Sequence, residues 1–288
     1  MKEQQQISIY CQKLGLKELD KSYKQLIDKA NKEQSGYYEF LKHVLHQETA
    51  AKEKRCIEYR IRESKLPKPY KLLSDFDFSF QAGLNKDLIM DLATLNFISN
   101  KESILFIGDC GTGKSHIACA LALIACQKCM KVYYTTCSAL INDLNTGVYE
   151  KTLNKRLRKY ASADLLVIDE MGHDRLELQV TKEAHLLFKV IDLRYSQEKS
   201  LIFTSNVQQQ DWSEFLRDKV TTQAILDRIF HRSVKIEIKG KSYRKYQGEK
   251  LQKKYHDKMD KKLGKDNHAR SFIPMVVKGY YEFSTLFL

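Results

Sequence analysis

The chain has 288 residues, 43% of them hydrophobic, a formal net charge of +13 at pH 7 and 7 cysteines. That composition supports buried cores for about two domains and excludes an intrinsically disordered chain. An odd number of cysteines scattered through a chain of this length, behind a polar opening from Met1 to Gln6, excludes a small disulfide-stapled scaffold and predicts reduced thiols in a cytoplasmic protein.

The charge is unevenly placed. Residues 1–66 carry 14 Lys and Arg against 10 Asp and Glu, residues 67–230 carry 20 of each, and residues 231–270 carry 14 against 5. A neutral centre with basic ends fits a core that meets a polyanion through its flanks, nucleic acid being the simplest; a merely solvating basic surface is the alternative.

Residues 5–66 contain no proline and read as helices. Apolar residues recur at helical spacing from Leu14 to Ile27 and from Tyr37 to Leu45, with Ser35-Gly36 between the runs, and a charged third stretch covers Thr49 to Ser64. This predicts a small helical domain over 1–66, either a DNA- or partner-docking element or a helical cap on the main domain. Leu66-Pro67-Lys68-Pro69 stops the helix and stiffens the connector. Leu73-Ser74-Asp75-Phe76-Asp77-Phe78 is aromatic and acidic, suited to lie near an adenine or to clasp the core. Leu88 to Ile98 reads as one helix.

Gly108-Asp109-Cys110-Gly111-Thr112-Gly113-Lys114-Ser115 spells G-x-x-x-x-G-K-S between an apolar strand, Ile104 to Ile107, and an apolar helix, Ile117 to Cys126. That is a P-loop in its proper context. Glycines let backbone N–H groups face phosphate oxygens, and the helix N-terminus adds its positive end. Lys114 is placed to reach the β- and γ-phosphates and the Ser115 hydroxyl to complete a Mg²⁺ shell. Asp109 puts a negative charge beside the phosphates. Cys126 and Cys129 form a lone C-x-x-C, a redox pair or half a metal site on one reading and two small residues about a buried helix end on the other.

Val132-Tyr133-Tyr134-Thr135 reads as a strand and Ser138 to Leu144 as a short helix. Lys151 to Lys159 holds five basic residues, Lys151, Lys155, Arg156, Arg158 and Lys159, and no acid; it is a candidate DNA-contacting face or a solvated helix. Leu165-Leu166-Val167-Ile168-Asp169-Glu170 is a buried strand ending in two acids, a Walker B pattern expected next to the P-loop. Asp169 then holds Mg²⁺ and Glu170 activates water. Leu201 to Asn206 is a further buried strand, whose Asn206 or a neighbouring hydroxyl is placed to touch the γ-phosphate or the water. Ala224 to Phe230 is a short helix carrying Asp227 and Arg228, and Val234 to Ile238 is a half-exposed strand. Residues 240–265 are a lysine-rich tail or fraying helix. Residues 271–288 are apolar and aromatic but too short and too interrupted to span a membrane; they dock on the core or a partner, or are foreign sequence.

Taken together, Gly108 to His116, LLVIDEMG from Leu165 to Gly172, Asp192-Leu193-Arg194-Tyr195, Thr204-Ser205-Asn206, Ala224 to Arg228 and Gly240 to Arg244 resemble the IstB family, ATPase helpers of insertion-sequence transposases, and at one remove DnaC and DnaA. The resemblance spans about residues 10–245. It implies an α/β fold, an AAA+ P-loop NTPase domain over 67–245 with a parallel five-stranded sheet flanked by helices, after the helical domain and before a tail over 246–288. It implies ATP and Mg²⁺ as cofactors, hydrolysis to ADP and phosphate, homo-oligomers on largely sequence-independent, double-stranded DNA, and a partner transposase.

Residue by residue, Gly108 to His116 match the nucleotide loop, Ser115 and Asp169 the metal side, Glu170 the base, Asn206 sensor 1 and Arg228 an arginine finger acting on a neighbouring subunit. The alternative for Arg228 is an ion pair with Asp227 or Glu214. Arg244 is a weak sensor-2-like match. Two other readings remain: a DnaC-type loader that grips a replicative helicase, and a non-hydrolysing adaptor.

Overall fold

The computed structural model describes residues 2–172, 180–216 and 218–263. They divide into two compact units, the first ending at Gly240 and the second beginning at Lys241. The expectations for residues 271–288 lie outside the described residues.

The first unit opens with three helices, α1 (Lys2–Leu14), α2 (Lys17–Lys32) and α3 (Tyr37–Glu63). The break at Ser35-Gly36 is where the sequence puts it. The second apolar run and the charged stretch after it are one continuous helix of 27 residues, because no glycine or proline separates them. The N-cap of α2 is Leu16, which has no side-chain oxygen to offer. Glu48 of α3 supplies one instead: its Oε2 accepts from the amides of Glu18 (2.7 Å) and Leu19 (2.8 Å), and its Oε1 from Arg55 (2.9 Å). These amides are the unpartnered donors of a first helical turn, so the contact ties α2 to α3.

The sheet comes next: β1 (Ser103–Gly108), β2 (Val132–Thr136), β3 (Leu165–Met171), β4 (Ser200–Ser205) and β5 (Ser233–Ile238). All pairings are parallel, in the order β2-β3-β4-β1-β5. The three central strands are near-continuous apolar runs, as strands covered on both faces must be. Leu105, Ile107, Leu166 and Ile168 point to one face, where they pack with α7 (Cys137–Tyr149), α8 (Leu153–Ala161), α9 (Val180–Ser196), α10 (Trp212–Leu216) and α11 (Lys219–His231). Ile104, Phe106, Leu165 and Val167 point to the other, against α4 (Lys86–Leu92), α5 (Asn96–Ser99) and α6 (Lys114–Gln127).

The single helix expected over Leu88 to Ile98 is therefore two. Leu95 takes a left-handed φ of +69° and turns the chain between α4 and α5. Fully buried Arg194 fastens α9 to the sheet, its guanidinium donating to the carbonyls of Tyr160 (2.7 Å), Ala163 (2.9 Å) and Ser200 (2.5 Å). Desolvation pushes its pKa down to about 9.

In the second unit α12 (Tyr243–Leu263) is a helix over the lysine-rich stretch. Among the described residues no helix is long and apolar enough to cross a membrane.

Candidate functional site

The P-loop is built where the sequence puts it, between β1 and α6. Two of its glycines are required by packing. A Cβ on Gly108, at φ +154°, would lie 2.3 Å from the Ile238 carbonyl oxygen; one on Gly113, at φ +102°, would lie 2.4 Å from the Phe76 ring. The first amides of α6 have no intrahelical partner, which makes this loop an anion site by construction. Lys114 is buried, and its ammonium donates to the carbonyls of Gly108 (2.7 Å) and Asp109 (2.8 Å). Thr112 Oγ1 also donates to Asp109 O, over 2.8 Å. The side chains of Asp109 and Cys110 are exposed.

The aromatic-acidic segment is a clasp on this loop. Phe76 lies against Gly113 and edge-on to His116, ring centroids 5.4 Å apart. His116 Nε2 bonds the Leu72 carbonyl at 2.7 Å, which fixes its protonated nitrogen.

Asp169 ends up next to the P-loop, as the Walker B pattern predicts, within hydrogen-bond reach of Ser115. β4 runs between β1 and β3, so the end of β4 enters the site. Asp169 is 2% exposed and surrounded by hydroxyls. Ser115 donates to its Oδ1 at 2.8 Å, Thr204 of β4 donates to the same oxygen, and Tyr134 of β2 donates to Oδ2 at 2.5 Å. Burial, together with the Asp169 charge and its hydrogen bond, raises the Tyr134 phenol far above its ordinary pKa, so it is a donor throughout the physiological range.

The strand is irregular at this point. Its register against β4 shifts between Ile168 and Met171, and Glu170 adopts a left-handed φ of +59°. The kink leaves Asp169 inside and turns Glu170 out to solvent. The Glu170 amide is held there by Asp169 Oδ1 and Thr204 Oγ1, each at 3.1 Å. Such strain inside a strand concentrates at sites where a side chain must be aimed.

Asn206 follows β4 in a pinned turn. Ser205 Oγ donates to the carbonyls of Met171 (2.9 Å) and Val207 (2.7 Å), and the Val207 amide donates back to it. The structure thus brings together the P-loop, Ser115, Asp169, Glu170 and the end of β4. Arg228 is not among these groups. Its Nε donates to Asp192 at 2.7 Å, its Nη1 to the Ala224 carbonyl at 3.1 Å, and its guanidinium lies 4.7 Å from the centre of the Phe188 ring. The partner is Asp192 of α9, not Asp227 or Glu214, because α11 packs along α9.

The basic run is divided in the same way. Lys151 precedes α8 in a left-handed turn, φ +57°. Arg156 pairs with Asp143 and with Glu150 at 2.6 Å, and Lys159 pairs with Asp143 at 3.3 Å and lies over the Tyr133 and Tyr160 rings. Lys151, Lys155 and Arg158 are exposed.

Sequence reasoning missed Tyr134, Asp192 and the specific hydroxyl, Thr204, that reaches Asp169. Only the strand order makes these contacts visible. Among the described residues no cluster of three or more His, Cys, Asp or Glu is placed to hold a metal ion. Among the described residues no cysteine forms a disulfide.

A family model described as IstB-like ATP binding protein matches residues 10–251. The chain is 37% identical over 244 residues to the ATP-binding protein of insertion sequence IS5376 from Geobacillus stearothermophilus, covering 85% of this chain and 94% of that one. It is 34% identical over 239 residues to the IS21 ATP-binding protein of Pseudomonas aeruginosa, covering 83% and 88%. Among solved structures it resembles the replication initiator DnaA bound to AMPPCP and single-stranded DNA, with a TM-score of 0.51 and 22% identity over 66% of this chain and 56% of that one. That likeness establishes the fold as AAA+.

Proposed function

The chain belongs to the IstB-like ATP-binding protein family, and we propose that it hydrolyses ATP while assembled on double-stranded DNA to assist a partner transposase. The observation that carries this reading is the meeting of Ser115 and Asp169 across β4. It joins a phosphate-binding loop to a buried carboxylate, which an ATP-hydrolysing site needs and a simple anion site does not.

The donor set fits a nucleotide-bound Mg²⁺. A hydroxyl and a carboxylate are hard oxygen ligands, and Mg²⁺ takes one or two of these beside phosphates and water. Ser115 and Asp169 would hold it. When bound, the ion supplies charge neutralisation at the β- and γ-phosphates. The chain's own residues do the rest. The P-loop amides and Lys114 bind and orient the phosphates. Glu170, turned to solvent by the kinked strand, accepts a proton from the attacking water. Asn206 holds that water or the γ-phosphate. Arg228 serves a neighbouring subunit, which requires it to leave Asp192 or to carry it along. Lys151, Lys155 and Arg158 contact DNA phosphates.

Two features support the assignment of partners. The relatives are proteins of insertion sequences by name, and this chain carries its excess basic charge in residues 1–66 and 231–270. The test is binding of a labelled random duplex with ATP, with ADP and without nucleotide, across a salt series. The reading predicts tight binding with ATP only, falling steeply with salt. Binding confined to single strands would favour the helicase-loader reading, and a flat salt response would contradict phosphate contacts.

A further inference from the structure

We infer that Tyr134 is a positioning residue for Asp169, fixing the plane of the carboxylate that the proposed Mg²⁺ site uses. The inference rests on the proposed ATPase activity.

The two oxygens of Asp169 are treated differently. Oδ1 receives Ser115, Thr204 and the Glu170 amide. Oδ2 receives the Tyr134 hydroxyl at 2.5 Å, the short contact of a charge-assisted O–H donor. A carboxylate that is 2% exposed needs such donors. It does not need this division. Without Tyr134 the plane of the carboxylate is set through Oδ1 alone, so the group can tilt about its Cβ–Cγ bond and lengthen the Ser115, Thr204 and Glu170 contacts together.

Tyr134 is itself firmly placed. β2 is an edge strand: among the described residues, no strand neighbours one side of its backbone. The Tyr134 amide is nonetheless bonded there, to the carbonyl of Ser64 at 2.7 Å, just past the end of α3. On the other side Tyr134 pairs with Val167 in β3. The phenol therefore approaches Asp169 from a backbone held on both sides, and through Ser64 the helical N-terminal part of the unit sets where it stands. Groups that orient a metal-binding carboxylate from outside change metal affinity about 10- to 100-fold when removed.

The experiment is equilibrium binding of a fluorescent ATP analogue to the full chain, titrated with Mg²⁺ and repeated in EDTA, for wild type, Tyr134→Phe and Lys114→Ala. Phenylalanine keeps the ring and removes only the hydroxyl. The expected result is a half-saturating Mg²⁺ concentration raised about 10-fold or more in Tyr134→Phe, with nucleotide affinity in EDTA and the thermal midpoint near wild type. Superimposable Mg²⁺ curves would overturn the inference while leaving the ATPase reading intact. So would equal loss of affinity with and without Mg²⁺, which marks a purely structural role. If wild type binds no nucleotide in any condition, as Lys114→Ala should not, both the inference and the reading beneath it fail.

Discussion

Ser115 at the start of α6 and Asp169 at the end of β3 share a hydrogen bond of 2.8 Å although β4 separates their strands. The contact brings together the two oxygen groups proposed to hold Mg²⁺. Asp169→Asn keeps the shape and removes the charge. Its expected effect is loss of ATP turnover by about 100-fold or more with nucleotide still bound. Binding is read independently through Cys110, the exposed thiol of the P-loop: ATP should slow its alkylation in wild type and in Asp169→Asn, but not in Lys114→Ala.

Arg228 is anchored to Asp192 in its own subunit, and the role proposed for it is exercised on a neighbour. Arg228→Ala should retain nucleotide binding and lose turnover by about 10³-fold. Mixing it with Lys114→Ala should restore part of the activity, because one variant offers an intact ATP site and the other an intact arginine. Two inactive variants that stay inactive when mixed would place Arg228 in a structural role.

The exposed cations Lys151, Lys155 and Arg158 should act uniformly across DNA sequences. Replacing all three with alanine is expected to lower the slope of log affinity against log salt by about 3. Arg156→Ala should instead cost stability, since Arg156 is already paired with Asp143 and Glu150. Denaturant unfolding and a salt-titrated DNA-binding assay separate the two effects.

Glu48 ties α2 to α3 from a buried position. Burial by itself would raise its pKa, but the Leu19 amide, Arg55 and the Glu18 amide outweigh it and hold the carboxyl below the ordinary value. A depressed pKa stabilises the fold above the unfolded value, near 4.3, and that contribution fades as pH falls through the folded value. Glu48→Ala should cost about 1–2 kcal/mol at pH 7, and the gap to wild type should narrow when unfolding is measured below about pH 4.

The parts of the site legible in the sequence are those that are contiguous. The P-loop carries its chemistry and its flanking strand and helix in one stretch, and the apolar run into Asp169-Glu170 announces a buried strand with acids at its end. What the sequence withholds is strand order. Nothing in Tyr134 or Thr204 marks them as neighbours of Asp169 until β2 is known to lie on one side of β3 and β4 on the other. The partner of Arg228 is hidden for the same reason. Local charge points to near neighbours, Asp227 and Glu214, whereas packing of α11 on α9 selects Asp192. The basic run of α8 shows the converse: its lack of acids is true only along the chain, because Asp143 reaches it from α7. The break at Leu95 is illegible because a left-handed leucine carries no compositional signal.

The measurement that bears most directly on the whole account is ATP turnover against protein concentration, with no DNA and with random duplex, at fixed salt. The account predicts that turnover per subunit rises with concentration, rises further with duplex and vanishes in Lys114→Ala. Turnover per subunit that is independent of both concentration and duplex would contradict an ATPase completed by assembly on DNA.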